Sequence, residues 1–148
     1  MRALSRTEAR KWCEAQGAVL GSGGFPEARD KPKSFSIPAD AGRRVAMAAE
    51  HLESFRSGGR ALVWFDEWAV WPSGQRMHIF ERFLASYGEA RPLAELPAFL
   101  FSEHEYEDLV SFVTLALLFL WDVRVLSTKA RRLLFYSHDE HGWMGTSR

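Results

Sequence analysis

The longest apolar stretch, "LVSFVTLALLFLW" from Leu109 to Trp121, narrows what this chain can become. A bilayer-spanning helix needs about 20 apolar residues, so the stretch is too short to cross a membrane, and Ser111 and Thr114 lie inside it. It reads instead as a helix buried at the centre of a core, and the rest of the chain must cover it. Ser102, three residues before Glu105, has the spacing of a capping box and opens this helix. Beyond it, "WDVRVLS" and "RLLFYSHD" read as two strands joined by "TKAR", an antiparallel hairpin.

The preceding residues supply the cover. Ser5 and Glu8 form a second capping-box pair, predicting a helix from about Arg6 to Gln16 with Trp12 as its buried anchor. Residues 17–38 mix glycine, proline and charge, as a long loop or arm does, with a short edge strand at Ser34–Ile37. Asp40 caps a helix to about Arg56; Val45, Ala48, Ala49, Leu52 and Phe55 form its inner stripe, and Arg43 and Arg44 face solvent. "RALVWFDEWAVW" has the composition of a strand buried on both faces, interrupted at Asp66 and Glu67. Pro72 and Ser73 start another helix, to about Tyr87, with Met77, Phe80, Phe83, Leu84 and Tyr87 inward, and a short strand is expected at Phe99–Phe101. With 148 residues, 47% of them hydrophobic, the chain is sized for one domain, residues 1–148. The expectation is an α+β fold: about four helices packed on a small, mainly antiparallel sheet of three to five strands that ends in a C-terminal hairpin.

Charge limits the partners. Eleven basic and seven acidic side chains give +4 over residues 1–60, three and nine give −6 over residues 61–121, and five and three give +2 over the remainder. A chain balanced at zero lacks the basic excess of a general nucleic-acid or anionic-membrane binder. Cys13 is the only cysteine, which rules out an intrachain disulfide and a cysteine-rich zinc site and suits a reducing cytoplasm.

Three groups of residues invite a functional reading. His138, Asp139, Glu140 and His141 put four metal-ligand types in a row. On a strand, His138 and Glu140 share one face and Asp139 and His141 the other; on a helical turn, the two histidines meet. Either way two ligands are available, and a divalent metal would need more, from Asp66, Glu67 or His104. The simpler reading is the solvated end of a strand. Glu103, Glu105, Glu107 and Asp108 are acidic, but carboxylates in a helix's first turn oppose its dipole and need no ligand. In "WFDEWAVWP", tryptophans flank Asp66 and Glu67, and such mixtures occur at binding surfaces as well as in cores. No serine elbow or phosphate-binding loop is present: "GSGG" at Gly21–Gly24 lacks the lysine and hydroxyl of a P-loop.

"WPS" at Trp71–Ser73, "SYG" at Ser86–Gly88, Pro97–Phe101, "EYEDL" at Glu105–Leu109, "WD" at Trp121–Asp122 and "SHDE" at Ser137–Glu140 resemble the pattern of a family of small uncharacterised bacterial proteins. The resemblance covers about the last 80 residues and implies a bacterial origin and an α+β fold, with no activity attached. In size and composition the chain is also similar to immunity proteins that neutralise secreted toxins. Two functions are then expected in competition. The first is a non-catalytic protein-binding module without a cofactor, in which Asp66, Glu67, Glu103, Glu105 and Glu107 meet a basic partner and Trp68 anchors it. The second is a metal-dependent hydrolase with His138 and His141 as ligands and Asp139 or Glu140 as ligand or general base. Aromatic residues are numerous enough to supply a homodimer interface as well.

Overall fold

The structure, a computed structural model, describes residues 1–57, 59–67, 77–92, 95–119 and 122–147. The strands are β1 (Arg2–Leu4), β2 (Lys33–Ser36), β3 (Ala61–Glu67), β4 (Ala98–Phe101), β5 (Asp122–Ser127), β6 (Arg132–Tyr136) and β7 (His141–Thr146); the helices are α1 (Arg6–Ala15), α2 (Ala41–Leu52), α3 (Met77–Ser86) and α4 (Tyr106–Leu118). All seven strands join one antiparallel sheet in the order β1-β4-β3-β5-β6-β7-β2. The α+β class and the C-terminal hairpin are as expected, and the sheet is wider than the three to five strands anticipated. The additions are β1 and β7, too short or too glycine-rich to show a strand pattern.

β3 is an interior strand covered on both faces: Ala61, Leu62, Val63, Trp64 and Phe65 are all buried, and a strand buried on both faces needs a layer on each side. Successive side chains alternate between those layers. Ala61, Val63 and Phe65 face α2, α3 and α4, where Phe65, Phe80, Phe99, Phe101 and Phe112 pack ring against ring. Leu62 and Trp64 face α1, together with Leu4, Leu100, Leu126 and Leu133. α4 buries Tyr106, Leu109, Phe112, Val113, Ala116 and Leu117, the three-and-four spacing its sequence predicts.

Residues 17–32 are not a free arm. They turn back at a Leu20–Pro26 bridge, seat Phe25 edge-on to Trp64 at 5.3 Å, and reach β7 through Arg29 N–H donating to the Thr146 carbonyl at 3.0 Å. They then enter β2, which covers β7. The cross-strand partner of Phe35 is Gly142, where a Cβ would lie 2.6 Å from the Phe35 ring and 2.5 Å from the Phe135 carbonyl; only glycine admits that contact.

Two helix faces differ from expectation. On α1 the fully buried residues are Ala9 and Cys13, with Trp12 half-buried, because small side chains let the helix lie close to the sheet. On α2, Arg44 is 8% exposed while Val45 is 43% exposed. The Arg44 guanidinium donates to the Pro38 carbonyl at 2.6 Å and meets Glu140 at 3.3 Å, so its aliphatic stem can replace valine against the core.

Candidate functional site

The antiparallel sheet has two ends of different chemistry. One carries the last residue of β3, the first of β5 and the turn between β6 and β7; the other carries the start of β3, the β5–β6 turn and the entry to α4. Six residue steps of about 3.3 Å along β3 separate them by roughly 20 Å.

At the first end, Ser137 to Glu140 form the β6–β7 turn. Ser137 N–H donates to the His141 carbonyl at 2.8 Å, and Glu140 takes a left-handed conformation, φ 59°. The tetrad is thereby dispersed. His138 turns toward β5, where its backbone N–H and ring Nδ1 lie 2.6 and 2.8 Å from Asp122 Oδ1. Glu140 goes to Arg44, and His141 is exposed with its ring edge-on to Phe135 at 6.4 Å. Asp139 is exposed, 3.4 Å from His138 Nε2. The carboxylate of Asp122 stabilises the imidazolium and so raises the His138 pKa above its ordinary value.

What gathers around His138 is a different pair. A bulge between Phe65 and Glu67 shifts the register so that Glu67 stands opposite Asp122. Among the described residues, Glu67, Asp122 and His138 each offer a ligand atom, and those atoms lie within 4.8 Å of one another. Asp66 points the other way, to Arg124, at 2.8 and 3.1 Å. Burial pushes the Asp66 carboxyl up to about 6, with Arg124 pulling in the opposite direction. The Arg124 guanidinium also donates to the Pro26 carbonyl at 2.9 Å and lies over the Phe135 ring at 4.8 Å, so the Asp66 charge is spent on holding residues 17–32 against the sheet.

At the second end, the acids expected to meet a partner are largely engaged. Glu105 receives the Ser102 N–H at 2.8 Å as the reciprocal half of the capping box and pairs with the Met1 ammonium. Glu107 meets Arg56 at 3.4 Å, and Glu103 lies 3.8 Å from His104. Asp66 and Glu67 lie at the opposite end, so the five acids form no common surface; Trp68 is outside the described residues. Six exposed side chains along this end are basic: Arg2 on β1, Arg60 before β3, Lys129 and Arg131 in the β5–β6 turn, Arg132 on β6 and Lys33 on β2. None of these six forms a salt bridge among the described residues. Arg2 and Arg60 also line a cleft of about 300 Å³ with Met1, Leu100, Ser102 and Glu105.

Sequence reasoning singled out His138 and named Glu67 among the residues that could complete a site with it, but not Asp122. The signal was there: counting outward from the "TKAR" turn puts Asp122 across from Ser137, beside His138. The basic row had no such signal, because its members are dispersed between residues 2 and 132 and only the sheet order aligns them. Comparison of the chain with protein-family models, with curated proteins and with solved structures finds no match.

Proposed function

We propose that this chain is a non-catalytic protein-recognition module that docks an acidic surface of its partner on the basic end of its sheet. The observation that carries the reading is the row of exposed cations that form no salt bridge among the described residues, crossing the sheet from β1 to β2. Six inter-strand steps of about 4.8 Å give it a width of roughly 29 Å. A patch of that width matches the roughly 800 Å² that each partner contributes to a standard interface. Unpaired lysines and arginines at a rim speed encounter and select against basic partners, which is recognition rather than chemistry.

The sign of the charge is opposite to the one the sequence suggests, since the acidic block is divided between the two ends and largely paired. A protein partner fits better than nucleic acid because Asp30, Glu103 and Glu107 border the row, exposed: a phosphate backbone, negative along its whole length, would meet them, whereas a folded partner can set acids on the row and neutral or basic side chains beside those three. An immunity-type inhibitor is one form such a module takes. A second copy of the chain is a competing occupant, because its own Glu67, Asp122 and Asp139 end is acidic.

The test uses immobilised full-length chain and a triple charge reversal, Lys33→Glu, Arg60→Glu and Arg131→Glu, all at exposed positions. The wild type retains an acidic protein at low salt, releases it as salt rises, and the reversed variant does not retain it. Retention of the same proteins by both forms removes the proposal. Retention of duplex DNA instead assigns the row to nucleic acid, and concentration-dependent sedimentation of the wild type alone assigns it to self-association.

A further inference from the structure

We propose that Glu67, Asp122 and His138 form a binding site for a first-row divalent transition cation at the acidic end of the sheet. Three separate elements deliver the ligands: the last residue of β3, the first of β5 and the turn after β6. Their ligand atoms lie within 4.8 Å of one another. An ion bonded at about 2.0–2.2 Å holds neighbouring ligands roughly 3 to 4 Å apart, a contraction that side-chain rotation supplies.

The sheet itself provides an independent reason. Like charges directly opposite each other destabilise a strand pair, and the bulge at the end of β3 creates such a pair from Glu67 and Asp122. Arg124, on the same strand as Asp122, does not relieve it, because its guanidinium is committed to Asp66 and the Pro26 carbonyl. Among the described residues, His138 faces the pair, through its backbone N–H and ring Nδ1 on Asp122. A divalent cation takes over that compensation with twice the charge. If it binds through Nδ1, it takes the place of the ring proton shared with Asp122, and that proton leaves to solvent.

The donor set fixes the class of ion. One imidazole and two carboxylates, with no sulfur, suit zinc, manganese or a neighbouring divalent ion, whereas magnesium and calcium favour oxygen alone. The Asp122 and His138 side chains are 15% and 26% exposed and Glu67 is exposed, so solvent reaches the ion from one side. Three protein ligands with water beyond them leave open coordination positions, as exchangeable and catalytic sites have and closed structural sites do not. The site is roughly 20 Å from the basic row along β3 and stands or falls apart from it.

The test is a calorimetric titration of chelator-stripped, full-length chain with zinc, with manganese and with magnesium, each as the simple salt. One ion per chain is expected for zinc or manganese. Glu67→Gln, an exposed isosteric change that leaves the fold intact, weakens binding roughly tenfold or more. His138→Ala abolishes it, and His141→Ala leaves it unchanged. Absence of zinc and manganese binding at millimolar concentration overturns the proposal, as does equal affinity in Glu67→Gln. Loss of binding in His141→Ala overturns it by placing the ion on the turn, and magnesium binding as tight as zinc overturns the role given to the imidazole.

Discussion

Replacing Phe112 by alanine tests whether α4 is the centre of the fold. Phe112 is fully buried, and five rings surround it: Phe99 at 5.0 Å, Phe80 and Phe83 at 5.2 Å, Phe101 at 5.6 Å and Phe65 at 5.7 Å between centroids. A buried Phe→Ala change costs about 3–5 kcal/mol, and ring pairs add about 0.5–1.5 kcal/mol each beyond burial, so a site with five of them belongs at the upper limit, near 5 kcal/mol. An unfolding entropy of about 2.1 cal/mol/K per residue over 148 residues is about 0.3 kcal/mol/K, so the midpoint falls by about 15 °C. Phe112→Leu keeps most of the volume and costs about 1–2 kcal/mol. Ser111→Ala, exposed on the same helix, stays within about 0.5 kcal/mol. Urea unfolding at equilibrium reads all three, with an unchanged slope showing that the change is one of stability alone. A Phe112→Ala cost below about 2 kcal/mol would refute the reasoning, since no site enclosed by five rings loses so little.

Other consequences are as specific. Burial of His51 against Phe35 and Tyr136, with Nδ1 3.1 Å from the Tyr136 hydroxyl, holds its pKa below the ordinary 6.5. The unfolded chain therefore binds that proton more readily, so the contribution of His51 is complete above pH 6.5 and is lost as pH falls through the folded-state value; thermal midpoints in His51→Phe should lack this acid-side decline. The Cys13 thiol, fully buried, is pushed up to about 12, so a thiol reagent at mildly alkaline pH should label the native chain only at the rate of unfolding, and fast labelling would show that α1 is not seated. Gly142→Ala should cost about 1–3 kcal/mol in urea unfolding, because its Cβ meets the Phe135 carbonyl oxygen and the Phe35 ring; a neutral result would mean that β2 does not cover β7 as described.

Residue chemistry made much of this architecture legible. Both capping boxes formed where their spacing placed them, β3 is buried on both sides as its composition demanded, and the turn between β5 and β6 lies at "TKAR". Failures came where tertiary context overruled residue type. Arg44 was assigned to solvent because arginine is charged, yet a carbonyl and a carboxylate across the turn let it be buried. The tetrad read as one candidate ligand set because its members are adjacent, but a hairpin turn sends adjacent side chains to different neighbours. Glu67, Asp122 and His138 are distant in sequence, and only strand register and a bulge bring them together.

Recognition of an acidic protein by the basic end of the sheet is open to direct test. The most direct measurement compares what is retained from native extract by the wild type and by the Lys33→Glu, Arg60→Glu, Arg131→Glu variant, after equal midpoints have shown that both are folded. The expected result is a protein held by the wild type in a salt-sensitive manner and absent from the variant, with its acidic surface mapping to the contact. Identical retention by the two forms would contradict it.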